Sequence, residues 1–522
     1  MLEAVLLGLA AVLGLCEYLV GSNMLERPII MGPVVGLILG DLEQGIIIGG
    51  TLELAFMGVM YVGGAVSINT LVGGVVGTAL AIMTGNGVEV ATTLAIPVGI
   101  LYNLAEKAYY ILNLYFLRKA DKGAAQGNYK QIERAHYLCF GLWSLFTFAV
   151  VTSSIYVGSN AIQAVVDQIP QVVMDGLMAG TTLLPALGFG LLLNLIWNKQ
   201  IGAFYFIGFV LAAYLEMDVL GIAILGGSIA VLVYFFTKEK TDAGNEVSYE
   251  EQSERSSVLT KRDLHRIFFR SFTLEASFNY ERFQGFGYCY AMIPALKKLY
   301  TDPKELSEAL QRHMVFFNTS PQLVTWILGM SVAMEEEYAA THNYDAEAIN
   351  SVKVAFMGPL AGVGDSFWWG IVRTIAAGVA CQLALAGNIL APFVFIIIFN
   401  IPHVLLRYIG MTMSYKFGKS FISKISSENL LQKLSLCAGI MGLMVIGGMS
   451  VSMVSVTTPL TIAIDGIDPM QVQELLDTIM PGMLSLLTVF LVVWLLKKNV
   501  KVIHLMLILL LIGILGTMIG IL

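Results

Sequence analysis

Charge is scarce in this chain. Asp, Glu, Lys and Arg make up 13% of its 522 residues, about half the share of an ordinary soluble domain. With 57% hydrophobic residues, that deficit excludes a soluble globular protein. The five cysteines, Cys16, Cys139, Cys289, Cys381 and Cys437, include no CxxC pair, so neither a zinc site nor a disulfide framework is indicated. No histidine sits in an HExxH or other metal-paired spacing. No metal and no cofactor is expected. There is no P-loop and no G-x-S-x-G elbow, which removes support for direct ATP hydrolysis or serine hydrolase chemistry. Basic residues are interrupted by acids and follow loop positions, so nothing points to nucleic acid. Residues 1–20 carry only Glu3 and Glu17 as charges. They lack a basic n-region and a small-residue cleavage site, and read as a retained helix rather than a signal peptide.

What is present is apolar length. Residues 201–214, 219–236, 434–458 and 502–522 contain no Asp, Glu, Lys or Arg. A spanning helix needs about 20 mostly apolar residues, and several runs are shorter or interrupted. The pattern predicts a polytopic helical membrane protein that mixes full spans with re-entrant hairpins. Residues 238–260 are polar and charge-mixed, a composition that cannot bury a core. They read as a linker dividing two membrane domains, 1–237 and 261–522. Thr260 and Asp263 then form a capping box, starting an amphipathic helix with Leu264, Ile267 and Phe268 on one side. Such a helix lies on the membrane surface or packs on the protein.

Lysine and arginine in short loops set orientation. Arg118, Lys119, Lys122, Lys130 and Arg134, the linker, the Lys416–Lys433 region, and Lys497, Lys498 and Lys501 are placed in the cytoplasm. The acidic stretch with Asp465, Asp468, Glu474 and Asp477 is placed outside. Residues 302–313 read as a soluble-looking helix with Pro303 at its start. Glu335, Glu336 and Glu337 open a second polar stretch that runs to Lys353. Both are expected to be cytoplasmic, with solvated faces.

Two glycine-proline blocks sit in opposite halves. One is Gly32-Pro33 with Gly36, Gly40 and Asp41. The other is Gly358-Pro359 with Gly362, Gly364 and Asp365. Each is expected to break a membrane helix and leave a carboxylate at the break. Backbone broken inside a bilayer must find partners in protein or in a water-filled cavity, and matched breaks in two halves point to a transporter's substrate site. Ordinary helix ends built from the same residues are the alternative.

Three places carry chemistry. Glu53 stands alone in an apolar stretch, where a carboxylate is costly and functional by default; pairing with Arg27 is its structural alternative. The segment Ser277–Gly287 holds Asn279, Glu281 and Gln284 among aromatics, groups able to hold hydroxyls that both donate and accept. Read as a helix, it pairs Asn279 with Phe283 and Glu281 with Gln284; capping and pairing with Arg282 are the alternative. Gly285 and Gly287 would let another backbone approach. Asp365 is followed by Trp368, Trp369 and Arg373, and a purely structural Asp365–Arg373 pair is again the alternative.

These residues carry a resemblance. Arg27-Pro28 through Gly32-Pro33, Gly36 and Gly40-Asp41, then Gly45, Gly49, Gly50 and Glu53, resemble the IIC subunit of the mannose/fructose/sorbose family of the bacterial sugar phosphotransferase system. Gly176, Gly180, Pro185 and Gly188 extend that match. Residues 278–284, Gly287 to Met292, Arg312-His313, Phe316 to Thr319, Met357 to Asp365, and Trp369 to Arg373 resemble the IID subunit. The resemblance implies fused IIC and IID subunits forming a group translocator in the bacterial cytoplasmic membrane. It implies a hexose-type sugar bound between the halves, in an inverted-repeat, elevator-type fold assembled as a homotrimer. Phosphate would arrive from separate IIA and IIB carriers, which hold the phosphoryl-carrying histidines. The implied substrate-binding set is Glu53, Asn279, Glu281, Gln284 and Asp365, with Asn318 from the Phe316–Thr319 motif. Ser366 and Thr374 depart from the family pattern, standing where prolines are expected. Other functions left open are an ion-coupled secondary sugar transporter, and a non-transporting surface receptor such as relatives provide for some bacteriocins.

Overall fold

The computed structural model describes residues 1–56, 68–85, 87–158, 170–183, 185–238, 257–342, 344–425, 428–452, 454, 456–464 and 467–522. The expected linker lies mostly outside the described residues, as does Asp465. The chain is almost wholly helical. Its first half runs α1 (Leu2–Leu15), α2 (Pro28–Leu39), α3 (Leu42–Ala55), α4 (Thr70–Thr84), α5 (Gly87–Ala125), α6 (Tyr129–Val157), α7 (Gln171–Leu183), α8 (Pro185–Ile196), α9 (Ala203–Leu215) and α10 (Val219–Lys238). The second half runs α11 (Lys261–Ser271), α12 (Gly285–Leu299), α13 (Pro303–His313), α14 (Val324–Thr341), α15 (Glu347–Asp365), α16 (Arg373–Leu385), α17 (Ala391–Ile425) and α18 (Glu428–Ser452). Two strands follow, β1 (Thr461–Ile464) and β2 (Ile467–Gln471), and then α19 (Val472–Ile479), α20 (Met483–Lys497) and α21 (Val502–Met518). The strands pair antiparallel with Thr461 opposite Gln471, a small departure from an all-helical chain.

Residues Leu2–Val20, Tyr129–Val157, Glu347–Leu385 and Ala391–Gly418 are long and apolar enough to cross a membrane. α19 and α20 pass the same test together but meet at a 77° bend. Several other apolar helices, α2 and α4 among them, are too short to cross alone. Helices of spanning length and shorter apolar helices therefore occur side by side.

α2 and α3 form a tight helical hairpin. Gly32 and Gly36 on one helix face Gly45 and Gly49 on the other, so backbone packs on backbone. This is the small-residue contact that brings membrane helices close. Gly40 takes the left-handed conformation at the tip, and the Asp41 carboxylate accepts from the Gln44 amide at 3.1 Å, capping α3. The chain thus breaks at Gly40-Asp41. Gly32 and Pro33 lie inside α2 and do not interrupt it. A Cβ at Gly45 would sit 2.6 Å from the Gly32 carbonyl oxygen and 2.7 Å from the Gly36 Cα. Neither atom can yield as a side chain does, so Gly45→Val is expected to cost about 3 kcal/mol or more. A lower melting temperature and a poor yield of monodisperse protein in detergent would show it.

The second glycine-proline block differs from expectation in the same way. Gly358 and Pro359 lie within α15, with Gly442 packed close to the proline ring. The helix continues past Asp365 through a π-helical turn, Ser366–Val372, directly into α16. Without prolines at 366 and 374 nothing forces the chain out of helix. The interruption is a widened turn, a feature that recurs at functional sites.

The halves interleave. α7 packs on α21, α8 on α20, and both α9 and α10 on α18. Gly176 and Gly180 meet Gly513 and Leu510, while Gly208 and Gly447 meet the Met444 and Tyr205 carbonyls. Elsewhere α3 packs on α16, with Gly50 against Ala384. Polar contacts join the halves near the basic loop: Arg282 to Asp121 at 2.7 Å, Arg118 to Glu281 at 2.5 Å, and Arg270 to Glu133 at 2.7 Å.

α11 has its expected capping box and packs on α12 and α17, burying Ile267 and Phe268. Asp263 is paired with Lys298 at 2.7 Å. Its burial opposes ionisation, yet Lys298 and Thr260 hold its carboxyl down at about 2. Within the stretch that begins at Glu335, Asp345 and Glu347 are exposed as expected, but both ends are buried. Glu335 is buried beneath Arg312, His313 and the Tyr300 hydroxyl. Glu336 is buried and bonds the Leu259 amide at 2.9 Å, and Lys353 is buried with its ammonium on the Arg312 carbonyl at 3.1 Å.

Candidate substrate site between the two halves

The segment before α12 is a turn, not the helix that its spacing also allows. The Asn279 side-chain oxygen accepts from the Glu281 and Arg282 amides at 3.1 and 2.9 Å. Asparagine competes for nearby backbone in just this way and draws the chain out of helix. Phe283 takes a positive φ of 52°, and the Gln284 amide donates to the Phe317 carbonyl at 2.9 Å. Gly285 and Gly287 then lie against the Val315 and Leu274 carbonyls, where a Cβ would collide. The turn therefore seats Gln284 at the start of α12, facing the chain at 318–320.

Gln284 is held from three sides. Its amide nitrogen donates to the Thr319 carbonyl at 2.9 Å and to Glu275 at 3.2 Å, and its oxygen accepts from the Thr319 amide at 2.9 Å. The other Glu275 oxygen accepts from the Ser22 hydroxyl at 2.6 Å. Ser22 belongs to the first half, in a left-handed turn after Gly21. Nearby, the buried Glu17 carboxylate accepts from the Glu26 amide at 3.0 Å. Asp365, at the end of α15, interacts with Ser320. Together Glu17, Ser22, Glu275, Gln284, Asn318 and Asp365 line one cavity, with Tyr18, Phe278 and Trp369 as aromatic walls. The cavity measures about 50 Å³, room for a few waters. A bound sugar would have to widen it.

Three of the expected residues, Gln284, Asn318 and Asp365, meet in this cavity. The other three do not line it, and their polar atoms have partners elsewhere. Glu53 is paired with Arg27, whose Nε and terminal nitrogen donate at 2.9 and 2.7 Å, and both residues are buried. Asn279 holds its turn. Glu281 meets Arg118 near the surface. Sequence reasoning passed over Glu17, Ser22 and Glu275. Glu17 was findable: it is the one charge after Glu3 in an apolar run, so the cost argument applied to Glu53 fits it equally. Ser22 and Glu275 carry no local signal, since what matters is their pairing across the halves. Two of the histidines are buried among polar partners. His136 is buried between Ser277 at 2.8 Å and Thr273 at 3.0 Å, and His313 lies buried against Glu335.

Membrane-crossing helices around a polar, carboxylate-lined cavity, with both halves contributing to its wall, define a membrane transport protein. Comparison with known proteins gives the family. Residues 1–232 match the family model described as the sorbose-specific IIC component of the phosphotransferase system. Residues 258–522 match the model of its mannose/fructose/sorbose family IID component. The fructose permease IID component of Bacillus subtilis (strain 168) is 40% identical over 268 residues, covering 50% of this chain and 97% of that protein. The fructose permease IIC component of the same organism is 30% identical over 231 residues, covering 44% of this chain and 84% of its own length. Among solved structures, a chain of the mannose transporter ManYZ in complex with microcin E492, determined by cryo-electron microscopy, is 37% identical. That match covers 51% of this chain and 98% of the other, with a TM-score of 0.49. The chain belongs to the mannose/fructose/sorbose family of phosphotransferase-system permeases, with IIC and IID components joined in one integral inner-membrane polypeptide.

Proposed function

We propose that this permease binds a hexose-type sugar in the cavity between its halves and delivers it to the cytoplasmic face, where a separate IIB protein, charged by IIA, phosphorylates it. The observation that carries this is the hydrogen-bonded chain Ser22–Glu275–Gln284, which joins the two halves at one cavity wall. Sugar hydroxyls donate and accept at once, and carboxylates and amides can serve them. Trp369 and Phe278 offer faces for the apolar side of a ring. Asp365 sits at the junction of α15 and the π-helical turn, where a small rearrangement would widen the cavity. We place the substrate contacts at Gln284, Asn318 and Asp365, joined by Glu17, Ser22 and Glu275.

The division into a domain of residues 1–237, a linker of 238–260 and a domain of 261–522 is supported by the limits of the two family matches. An elevator-type motion between inverted-repeat-like domains, and assembly as a homotrimer, complete the proposed transport cycle.

The test uses inverted-topology vesicles supplied with phosphoenolpyruvate, the general carriers and the IIA and IIB partners. Labelled sugar should appear as sugar phosphate, with phosphate label on the partners and the sugar and none stable on His136 or His313. Free sugar accumulating on an ion gradient would instead establish a secondary transporter. Absence of any sugar binding would leave a receptor role.

The linker is expected to be a tether that raises the effective concentration of one half for the other. Cutting the chain between residues 245 and 253 and co-expressing the halves should still give a transporting complex, because α7 to α10 pack on α18, α20 and α21 without it. Well-inserted halves that fail to co-purify would give the linker a structural role.

A further inference from the structure

α11 and α17 enclose a groove outside the sugar cavity, about 820 Å³ in volume and lined almost wholly by carbon. Phe268 and Phe269 form one wall. Ile397, Ile401 and Leu405, spaced four apart on α17, form the other. The lining extends from Ile396 to Tyr408, which at the rise of an α-helix is roughly 18 Å, the scale of a single acyl chain. Asn400 does not make the groove polar, because its amide donates to the Asn23 and Ile396 carbonyls at 2.9 and 3.0 Å. Phe269 and Ile401 are 67% and 63% exposed, so the groove opens sideways along a span that the protein buries little.

One end of the groove is basic. His265 stacks on Tyr408 there, with ring centroids 6.0 Å apart. Helical spacing places Lys261 and Arg262 one turn before His265 on the same side, with Arg266 one turn beyond Arg262. All three cations are exposed. The neighbouring Asp263 is shared between Lys298 at 2.7 Å and Arg266 at 3.9 Å, and it pairs with neither Lys261 nor Arg262. Among the described residues neither Lys261 nor Arg262 has an ion-pair partner. Cations in the first turn of a helix also oppose its dipole, a cost that an anion at the same place removes. The charge pattern puts this end at the cytoplasmic surface, where the inner leaflet attracts juxtamembrane basic clusters.

We propose that this groove is a binding site for an anionic phospholipid, with one acyl chain lying along α17 between Ile397 and Leu405 and the headgroup phosphate held by Lys261, Arg262 and Arg266. Occupancy would pin α11 against α17 and so brace the segment that leads to Ser271 and Glu275.

The full chain, purified in non-ionic detergent, is titrated with phosphatidylglycerol or phosphatidylcholine of the same acyl chains, and retained lipid is counted by native mass spectrometry. Wild type should retain one phosphatidylglycerol at least fivefold more readily than phosphatidylcholine. Removing one cation should cost roughly fivefold, and Lys261→Ala/Arg262→Ala/Arg266→Ala together should erase the preference. Val404→Trp, which fills the groove from α17, should reduce retention of both lipids. Sugar binding and a monodisperse elution profile check the fold of each variant. Equal retention of the two lipids by wild type would mean ordinary annular lipid only and overturn the proposal. So would undiminished phosphatidylglycerol retention in the folded triple variant or in Val404→Trp.

Discussion

Glu275→Ala is expected to lower sugar affinity about tenfold or more while the chain still inserts and folds. The carboxylate in the cavity wall is bonded to both halves, through Ser22 at 2.6 Å and Gln284 at 3.2 Å. Its loss leaves the Ser22 hydroxyl and one Gln284 donor without their acceptor. It also removes the anchor that keeps the first half's turn in register with α12. A lost bond to a charged group is worth about 1.5–3 kcal/mol, which is roughly ten- to 150-fold in a dissociation constant. Asp365→Ala should fall in the same range. Glu281→Gln serves as the contrast: its partner Arg118 is more than half exposed, and such a pair contributes at most about 1 kcal/mol. Calorimetric titration of the purified variants would decide. Wild-type affinity in a folded Glu275→Ala or Asp365→Ala protein would remove that residue from the site.

Local pattern carried some of this architecture and not the rest. Apolar length as such was legible, but the four charge-free runs fall among the shorter apolar helices, while residues 129–157 and 391–418, which carry a few charges, are long enough to cross a membrane. The α2–α3 hairpin was legible as a glycine-rich block, but the break was expected at Gly32-Pro33. Composition shows that a proline is present, not whether neighbouring backbone is close enough to keep the helix intact. At Gly32 it is close: the Gly45 carbonyl and Gly49 pack directly against it. The same holds at Pro359, beside Gly442. At Asn279 the sequence leaves a helix and a backbone cap both open, because polar residues at helical spacing look the same either way, and the Asn279 contact with two following amides decides for the cap.

The site divides along similar lines. Gln284, Asn318 and Asp365 come from segments with distinctive local composition, and all three reach the cavity. Ser22 and Glu275 are 253 positions apart, and no periodicity in one chain encodes a pairing at that distance. Glu53 met the rule that an intramembrane carboxylate is functional. The same rule is satisfied when a buried cation needs a counterion, and a single sequence cannot separate the two.

That ambiguity makes Glu53 the sharper experiment. Glu53→Gln is expected to destabilise the chain by about 3–5 kcal/mol, because it leaves the buried Arg27 guanidinium without its carboxylate. Arg27 is 1% exposed, and its terminal nitrogen lies 2.7 Å from Glu53. It also reaches the Phe56 carbonyl at 3.3 Å, tying the start of α2 to the end of α3. Breaking the pair therefore loosens the hairpin itself. Replacing both partners with apolar residues removes the uncompensated charge, and such double replacements are often neutral. Arg27→Met/Glu53→Leu should accordingly recover most of the stability lost by Glu53→Gln, and with it most of the sugar affinity, since neither residue lines the cavity. Thermal melts in detergent, run beside sugar titrations of the same preparations, give both quantities. If Glu53→Gln instead melts like wild type and loses the sugar, and the double variant is stable but equally unable to bind, Glu53 belongs to the substrate path. The cavity between α12 and α15 would then be only part of it.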